Sequence, residues 1–308
     1  MNFPTTRYTL IHRLATTSAE EDWALFLADY WRPLCRFAVR WGRLDLADAE
    51  DVAAITLEAV IRNDLLARWT LDRRARLRTL LCSVVRRILA NEARREMRQQ
   101  RRIQDFVAAF GAELDDAESI RDQVSVDEAD AFYRAWAEEV LQAAVESLLE
   151  DYHREGRGNY FRVFYGRVCE NLPVRTIAES LNLKLTDVDN YFRHARSRLE
   201  SRLKDLVRWQ VLRYSTANEA SAEFEHEWSR LGEFLKRNGG LEESLRASYA
   251  DFNVEDVRER EAKSLTAILQ SVRSHLDNQQ SRPESRQKPG EGAPLSEDDL
   301  PASEGSRQ

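Results

Sequence analysis

Apolar residues recur every three to four positions along most of this chain, which is the spacing of an amphipathic helix. The pattern runs through residues 7–69, 73–102, 136–213 and 214–276. Runs in which Val, Ile or Thr alternate with polar residues are lacking, and the chain has only seven prolines and eleven glycines. The sequence therefore predicts an all-α fold.

The most informative stretch is residues 174–199, which reads as two helices joined by a tight turn. Ala178 is small enough for two helices to cross closely, and Asn182 can take the left-handed conformation that ends the first helix. Val188 then begins the buried stripe of the second helix. We predict a helix-turn-helix here.

The outward face of the second of these helices is rich in hydrogen-bond donors and acceptors, which suit base edges and phosphates. It carries Thr186, Asp187, Asp189, Asn190, Arg193, His194, Arg196 and Arg198. The simpler alternative is a helical hairpin whose arginines are only solvated. A helix-turn-helix by itself also leaves repressor, activator, recombinase and polymerase subunit open.

Charge is distributed very unevenly along the chain. The formal net charge is −7, but residues 1–102 carry +6, residues 103–135 carry −7, residues 136–213 carry +1 and residues 214–308 carry −7. Residues 73–102 hold eleven arginines and only two acids. Arginines near DNA displace condensed counterions, so this segment is expected to bind phosphates with marked salt dependence. A solvated charged face is the alternative.

Pattern and composition together divide the chain into five segments. We predict a helical domain over residues 5–102, a flexible acidic linker over 103–135, a second helical domain over 136–213, a helical extension over 214–276 and a disordered tail over 277–308. The tail is polar and rich in Pro, Ser and Glu, so burial cannot offset its ordering entropy.

Several functional classes are disfavoured by what the sequence lacks. No early apolar run resembles a signal peptide, and no stretch is apolar enough to span a membrane, which predicts a cytoplasmic protein. Cys35, Cys82 and Cys169 lie far apart in apolar surroundings and are expected to be reduced, with no disulfide and no metal site. No phosphate-cradling glycine loop or nucleophile–base arrangement is present, so we expect no catalytic residue, no cofactor and no enzyme.

Four blocks taken together resemble the extracytoplasmic-function group of bacterial sigma factors. They are YWRPLCRFAVRWG, DAEDV at residues 48–52, RLRTLLCSVVRRILANEARR at 76–95 and RTIAESLNLKLTDVDNYFRHARSRL at 175–199. The resemblance covers about residues 5–210 and implies two helical domains that bind core RNA polymerase and promoter DNA. The extension at 214–308 is outside the minimal family pattern, and we interpret it as a hypothetical regulatory module that occludes a binding face.

The resemblance also implies roles for particular residues. The clamp coiled coil of the largest polymerase subunit would be contacted by Asp48, Glu50, Asp51 and Glu58. The −10 promoter element would be bound by Arg78, Arg86, Arg87, Asn91, Arg94, Arg95 and Arg98. The −35 element would be bound by Lys184, Thr186, Asp189, Asn190, Arg193, His194, Arg196 and Arg198. Of this last set, Asp189, Asn190, Arg193 and His194 match base-facing positions, and Lys184, Arg196 and Arg198 match phosphate contacts.

This chain departs from the family pattern at several positions. Ala53 and Ala54 stand where a glutamine and an acid are frequent, and Asp189 stands where a basic or small residue is usual. An anti-sigma factor or other regulator is a further expected partner. The competing hypotheses are a stand-alone helix-turn-helix regulator, which would bind duplex DNA without polymerase, and a structural or adaptor protein, which would show no salt-sensitive DNA binding.

Overall fold

The computed structural model describes residues 10–16, 19–71, 77–96, 125–215, 218–250, 265–270 and 272–274. Within these ranges every regular element is a helix and none is a strand, which confirms the prediction of an all-α fold. The predicted tail at 277–308 and most of the predicted linker lie outside the described residues.

Eleven helices are assigned in the described part of the chain. They are α1 (Leu10–Thr16), α2 (Glu20–Gly42), α3 (Leu46–Arg62), α4 (Leu65–Leu71), α5 (Leu77–Glu96), α6 (Val126–Arg154), α7 (Gly158–Val168), α8 (Val174–Leu181), α9 (Leu185–Tyr214), α10 (Ala220–Arg237) and α11 (Leu241–Ala250). Residues 265–270 and 272–274 are also helical.

The first buried cluster joins α1 to α5 with the start of α6. Trp31 and Leu34 on α2 and Leu81 on α5 are fully buried in it. The rings of Phe37 on α2 and Phe132 on α6 lie 5.3 Å apart between centres. Helical periodicity predicts the apolar stripes of α2 and α5 that pack here, but not the contact of Phe132.

Helix α6 begins inside the stretch predicted as linker, so residues 126–135 are helical. Ser125 caps the helix, because its hydroxyl accepts from the Glu128 backbone amide at 3.2 Å and the Glu128 carboxylate accepts from the Ser125 amide at 2.7 Å. Such a reciprocal pair satisfies two amides that the helix leaves open. Acids in this stretch also suit a helix N-terminus. Phe132 then fastens the helix to the first cluster.

The second buried cluster joins α6 to α11. The predicted second domain supplies most of it, including Leu148 on α6 and Phe164 on α7. Leu231 on α10 and Leu245 on α11 are also buried there. Helices α10 and α11 of the extension therefore share a core with the predicted second domain, whereas Ile268 and Val272 are buried in the first cluster.

A row of charged side chains joins α2 to α6 between the two clusters. Arg40 lies 2.6 Å from the Glu138 carboxylate, and Arg36 and Arg32 lie 3.4 and 3.2 Å from that of Glu139. Arg36 is 2% exposed, and burial lowers the pKa of its guanidinium although both glutamates oppose that shift. Charges buried to this degree persist only where they are paired and hydrogen-bonded.

Two further expectations concern cysteines and membranes. Cys35, Cys82 and Cys169 are free thiols, and burial raises the pKa of Cys82 and of Cys169 to about 12. At neutral pH such thiols are protonated and unreactive. Among the helices described, none has both the length and the apolar character that a membrane crossing requires.

Candidate nucleic-acid interface

Helices α8 and α9 are joined by the short turn that the sequence predicts. Asn182 ends α8 with φ 53° and ψ 49°, in the left-handed conformation that asparagine tolerates better than most residues. The Leu183 amide donates to the carbonyl of Ala178 at 2.9 Å and completes the cap. Ile177 and Ala178 are buried against the neighbouring helices. At Gly166 on α7, an added Cβ would lie 3.4 Å from the Ile177 side chain, which is ordinary van der Waals contact between packed helices.

The buried stripe of α9 holds this helix against the second cluster and fixes which side faces outward. Val188, Phe192, Ala195 and Leu199 are all buried. We use the name recognition face for the side chains of the predicted −35 set. Of these, Lys184, Thr186, Asp189, Asn190, Arg193, His194 and Arg196 are exposed, and Arg198 is partly buried. The sequence-predicted residues of this set therefore lie together on one side of α9.

The base-facing positions hold side chains that are already oriented by neighbours. Arg193 donates to the side-chain oxygen of Asn190 at 2.8 Å. Asp189 lies 3.1 Å from Arg167 of α7, and that guanidinium carbon is also 3.9 Å from the centre of the Phe192 ring. The charge of Asp189, which would repel a phosphate, is therefore offset by a neighbouring arginine.

His194 is held by a cluster of tyrosines. Its Nδ1 lies 2.8 Å from the Tyr152 hydroxyl, and the Tyr160 ring contacts it edge-on at 5.0 Å between centres. The Tyr160 ring also stacks on Tyr191 of α9 at 4.0 Å. Burial raises the pKa of Tyr152, so its hydroxyl keeps its proton at neutral pH and can donate to His194. These contacts fix the ring at the surface of α9.

The end of the recognition face is fastened to α6 by a cluster of ion pairs. Arg198 lies 2.5 Å from Glu155 and 3.4 Å from Asp151, and Arg202 also pairs with Asp151. Burial alone would raise the pKa of Asp151, but the hydrogen bond and charge of Arg202 lower it overall. The hydrogen bond from Arg198 lowers the pKa of Glu155. Arg198 thus contacts the body of the protein.

Arg196 lies 3.4 Å from Glu200 and 3.7 Å from Glu242, at exposed positions.

The arginines of α5 are placed differently. We use the name arginine face for the predicted −10 set on and after this helix. Arg78 pairs with Glu227 of α10, and its guanidinium carbon lies 4.3 Å from the centre of the Trp136 ring. Arg86 lies 3.6 Å from the Glu128 carboxylate. Arg87 and Asn91 are partly buried. The side chains of Arg94 and Arg95, and all of Arg98, lie outside the described residues.

The predicted polymerase-contacting residues lie on two sides of α3. Asp48 and Asp51 are exposed, whereas Glu50 is 7% exposed and faces inward. Glu58 is partly buried and lies 2.5 Å from Arg62, one helical turn away. Asp45 caps the helix, because its carboxylate accepts from the Asp48 amide at 2.9 Å. The geometry leaves Asp48 and Asp51 as the two of this set most accessible to a partner.

The fold brings in residues that sequence reasoning did not single out for this interface. Arg167, Tyr152 and Tyr160 support the recognition face, and Glu227 contacts the arginine face. Each lies on a different helix from its partner, and no local spacing links them. Only an excess of aromatic residues over residues 152–165 marks part of the set in the sequence.

A cavity of about 370 Å³ lies where the two clusters and the extension meet. Tyr30, Trp136 and Tyr214 line its apolar part, and Arg78 and Glu227 line its polar part. No group of three or more His, Cys, Asp or Glu side chains in the described ranges could hold a metal ion.

Comparison with known proteins found no relative of this chain. No family model matches the chain, and no curated protein and no solved structure matches it significantly. The resemblance to sigma factors therefore remains a prediction made from the residues themselves.

Proposed function

We propose that this chain is a sigma factor that directs core RNA polymerase to particular promoters in the cytoplasm. The observation that carries the proposal is the recognition face of α9. Its exposed donors and acceptors belong to a helix whose other side is a fully buried apolar stripe. A helix held in this way can enter the major groove, where each base pair presents its own pattern of donors and acceptors. We also propose that the chain has two helical DNA-binding domains joined by an acidic linker.

In this proposal the second domain binds the −35 element. Asn190 and Arg193 contact base edges, since an amide suits adenine and a guanidinium suits guanine. Asp189 can accept from a cytosine amino group, while Arg167 limits its repulsion of phosphate. Lys184 and Arg196 contact phosphate and set the register of the helix on the duplex.

The first domain binds polymerase and the −10 element. Asp48 and Asp51 on α3 contact the polymerase clamp coiled coil, and the arginine face of α5 binds the backbone of the melted strand. Melting needs no chemical step, because bound single-stranded DNA stabilises the open state through charge and stacking. An anti-sigma factor or another regulator would act by covering one of these surfaces.

Run-off transcription with purified core polymerase tests the proposal. We expect the full chain to give defined transcripts from a promoter library, and Asn190→Ala and Arg193→Ala to reduce transcription from the promoters it selects. Arg237→Ala is the matched control, because Arg237 is an exposed arginine on α10 that pairs with Glu233 on the same helix. Equal transcription by the wild type and both α9 variants would contradict the assignment of the recognition face.

A stand-alone helix-turn-helix regulator is the second candidate, and one observation favours it. The two residues of the arginine face whose ion pairs are described, Arg78 and Arg86, both contact carboxylates of the same chain. A regulator would need only the recognition face. Tight binding to a duplex operator by the chain alone, with no co-purification with core polymerase, would establish this alternative and exclude the sigma factor.

A further inference from the structure

Glu227 on helix α10 of the extension contacts Arg78, near the beginning of α5. The Arg78 side chain is 15% exposed and that of Glu227 is 7% exposed, so their ion pair is largely removed from water. The Arg78 guanidinium also faces the rings of Trp136 at 4.3 Å and Tyr133 at 5.2 Å. In this arrangement the Glu227 carboxylate occupies the Nη2 side of the Arg78 guanidinium.

The pairing leaves part of the Arg78 guanidinium unsatisfied. Its Nη1 is buried and has no hydrogen-bond partner among the described residues. A buried donor without an acceptor costs free energy, so this pair stabilises the fold less than a fully hydrogen-bonded one would. A phosphate, like a carboxylate, can accept from two guanidinium donors at once, so a phosphate can take the place of Glu227 on Arg78.

The rest of α10 packs on the second cluster through side chains that are mostly only partly buried, among them Phe224, Trp228 and Phe234. Leu231 and Glu227 are its only buried residues in the described structure. At the rim, Arg230 lies 3.4 Å from the exposed Asp130 and 3.9 Å from the centre of the Tyr133 ring. Exposed ion pairs of this kind each contribute little. An element with few buried contacts opens at lower cost than the body of a domain.

We propose that α10 is an internal cover for the −10-binding arginine, with Glu227 occupying the position that a DNA phosphate takes on Arg78. The inference rests on the proposed function and names a means of regulating that same site. In the free chain the cover is closed and Arg78 does not contribute to DNA binding. Single-stranded DNA binds through Arg78 only after α10 has lifted, and anything that lifts α10 therefore activates the −10 site.

Binding of a fluorescent single-stranded oligonucleotide to the full-length chain, measured over a series of salt concentrations, tests the cover. Glu227→Gln keeps the shape of the side chain and removes its charge. For one additional phosphate contact, the slope of the logarithm of the association constant against the logarithm of the salt concentration should steepen by about 0.7. At about 0.1 M salt the oligonucleotide should then bind about fivefold more tightly. Glu233→Gln is the control, because Glu233 is an exposed acid on the same helix that pairs only within α10 in the described structure.

The double variant Glu227→Gln/Arg78→Gln identifies the arginine responsible. The steeper slope should return to the wild-type value, because the freed contact has been removed. A Glu227→Gln slope equal to that of the wild type would overturn the proposal, as would a steeper slope that persists without Arg78. Should Glu227→Gln fold poorly, Arg230→Ala loosens the rim without touching Arg78, and it must then give a smaller gain in the same direction.

This assay separates the cover from the proposed function because it needs no polymerase. A steeper slope in Glu227→Gln, together with absent polymerase-dependent transcription, would retain the cover and reject the sigma factor. Normal transcription together with an unchanged slope would retain the sigma factor and reject the cover.

Discussion

The recognition face of α9 and the arginine face of α5 are rich in the same kind of side chain, yet the fold exposes them to different degrees. Arg193 is exposed and contacts only its helical neighbour Asn190 among the interactions described. Arg78 is covered by α10 and paired with Glu227. An arginine-rich sequence therefore does not by itself establish a binding surface, because carboxylates distant in sequence can occupy it first.

The largest expected effect concerns the buried charges that hold α2 to α6. Glu138→Ala removes a carboxylate that lies near both Arg36 and Arg40. Breaking a buried ion pair leaves an uncompensated charge, so we expect the free energy of unfolding to fall by about 3 kcal/mol. Chemical denaturation measures this change. Glu150→Ala, at an exposed position on the same helix, is the control. A loss no greater than that of the control would show that these charges do not hold the two clusters together.

The next prediction compares the two faces directly in the free chain. Arg193→Ala should weaken binding to a selected promoter duplex by about 1–3 kcal/mol, because a base contact is lost. Arg78→Gln should leave the same binding constant nearly unchanged, since Arg78 is already paired within the protein. Fluorescence anisotropy measures both constants. Equal losses in the two variants would mean that the covered arginine reaches duplex DNA and would remove the contrast between the faces.

A smaller effect is expected from the arginine that supports the recognition face. Arg167→Gln removes the positive charge 3.1 Å from Asp189. The freed carboxylate should then repel phosphate and weaken duplex binding by about 0.5–1 kcal/mol, the range of exposed ion pairs. The double variant Arg167→Gln/Asp189→Asn should regain the lost affinity. If it does not, Arg167 acts through its contact with the Phe192 ring and not through charge.

The smallest effect is confined to acid and concerns the ion pairs between α6 and the end of the recognition face. The arginines around Asp151 lower the pKa of its carboxyl below the ordinary value of 3.8. A lowered pKa in the folded state stabilises the protein above the pKa of the unfolded chain, and this contribution is lost as pH falls through the folded value. Asp151→Asn should therefore lower the melting temperature at pH 7 but reduce its dependence on pH below about 4. If the melting temperatures of the wild type and the variant fell equally as pH was lowered through that range, the result would contradict this account.

Helical periodicity was sufficient to predict the elements that depend on neighbouring residues in sequence. The all-α fold, the turn at Asn182 and the exposed side of α9 all follow from local spacing, because residues three and four apart share a helical face. The same reasoning placed Val188 and Phe192 in the core, where they are buried. The start of α6 was more difficult, since the acids of residues 126–135 suggest a linker until Phe132 is seen to pack against Phe37.

The sequence by itself determined which segments are helices and which side of each helix is apolar. Only the tertiary structure decided which charged side chains remain exposed. Arg78 and Glu227 are far apart in sequence, as are Arg167 and Asp189, and no periodic pattern relates the members of such pairs. Their pairing follows from how α10 packs on α6 and α9 and how α7 packs on α9. Packing is decided by the fit of whole helical surfaces, whereas periodicity reports only on residues within a few turns.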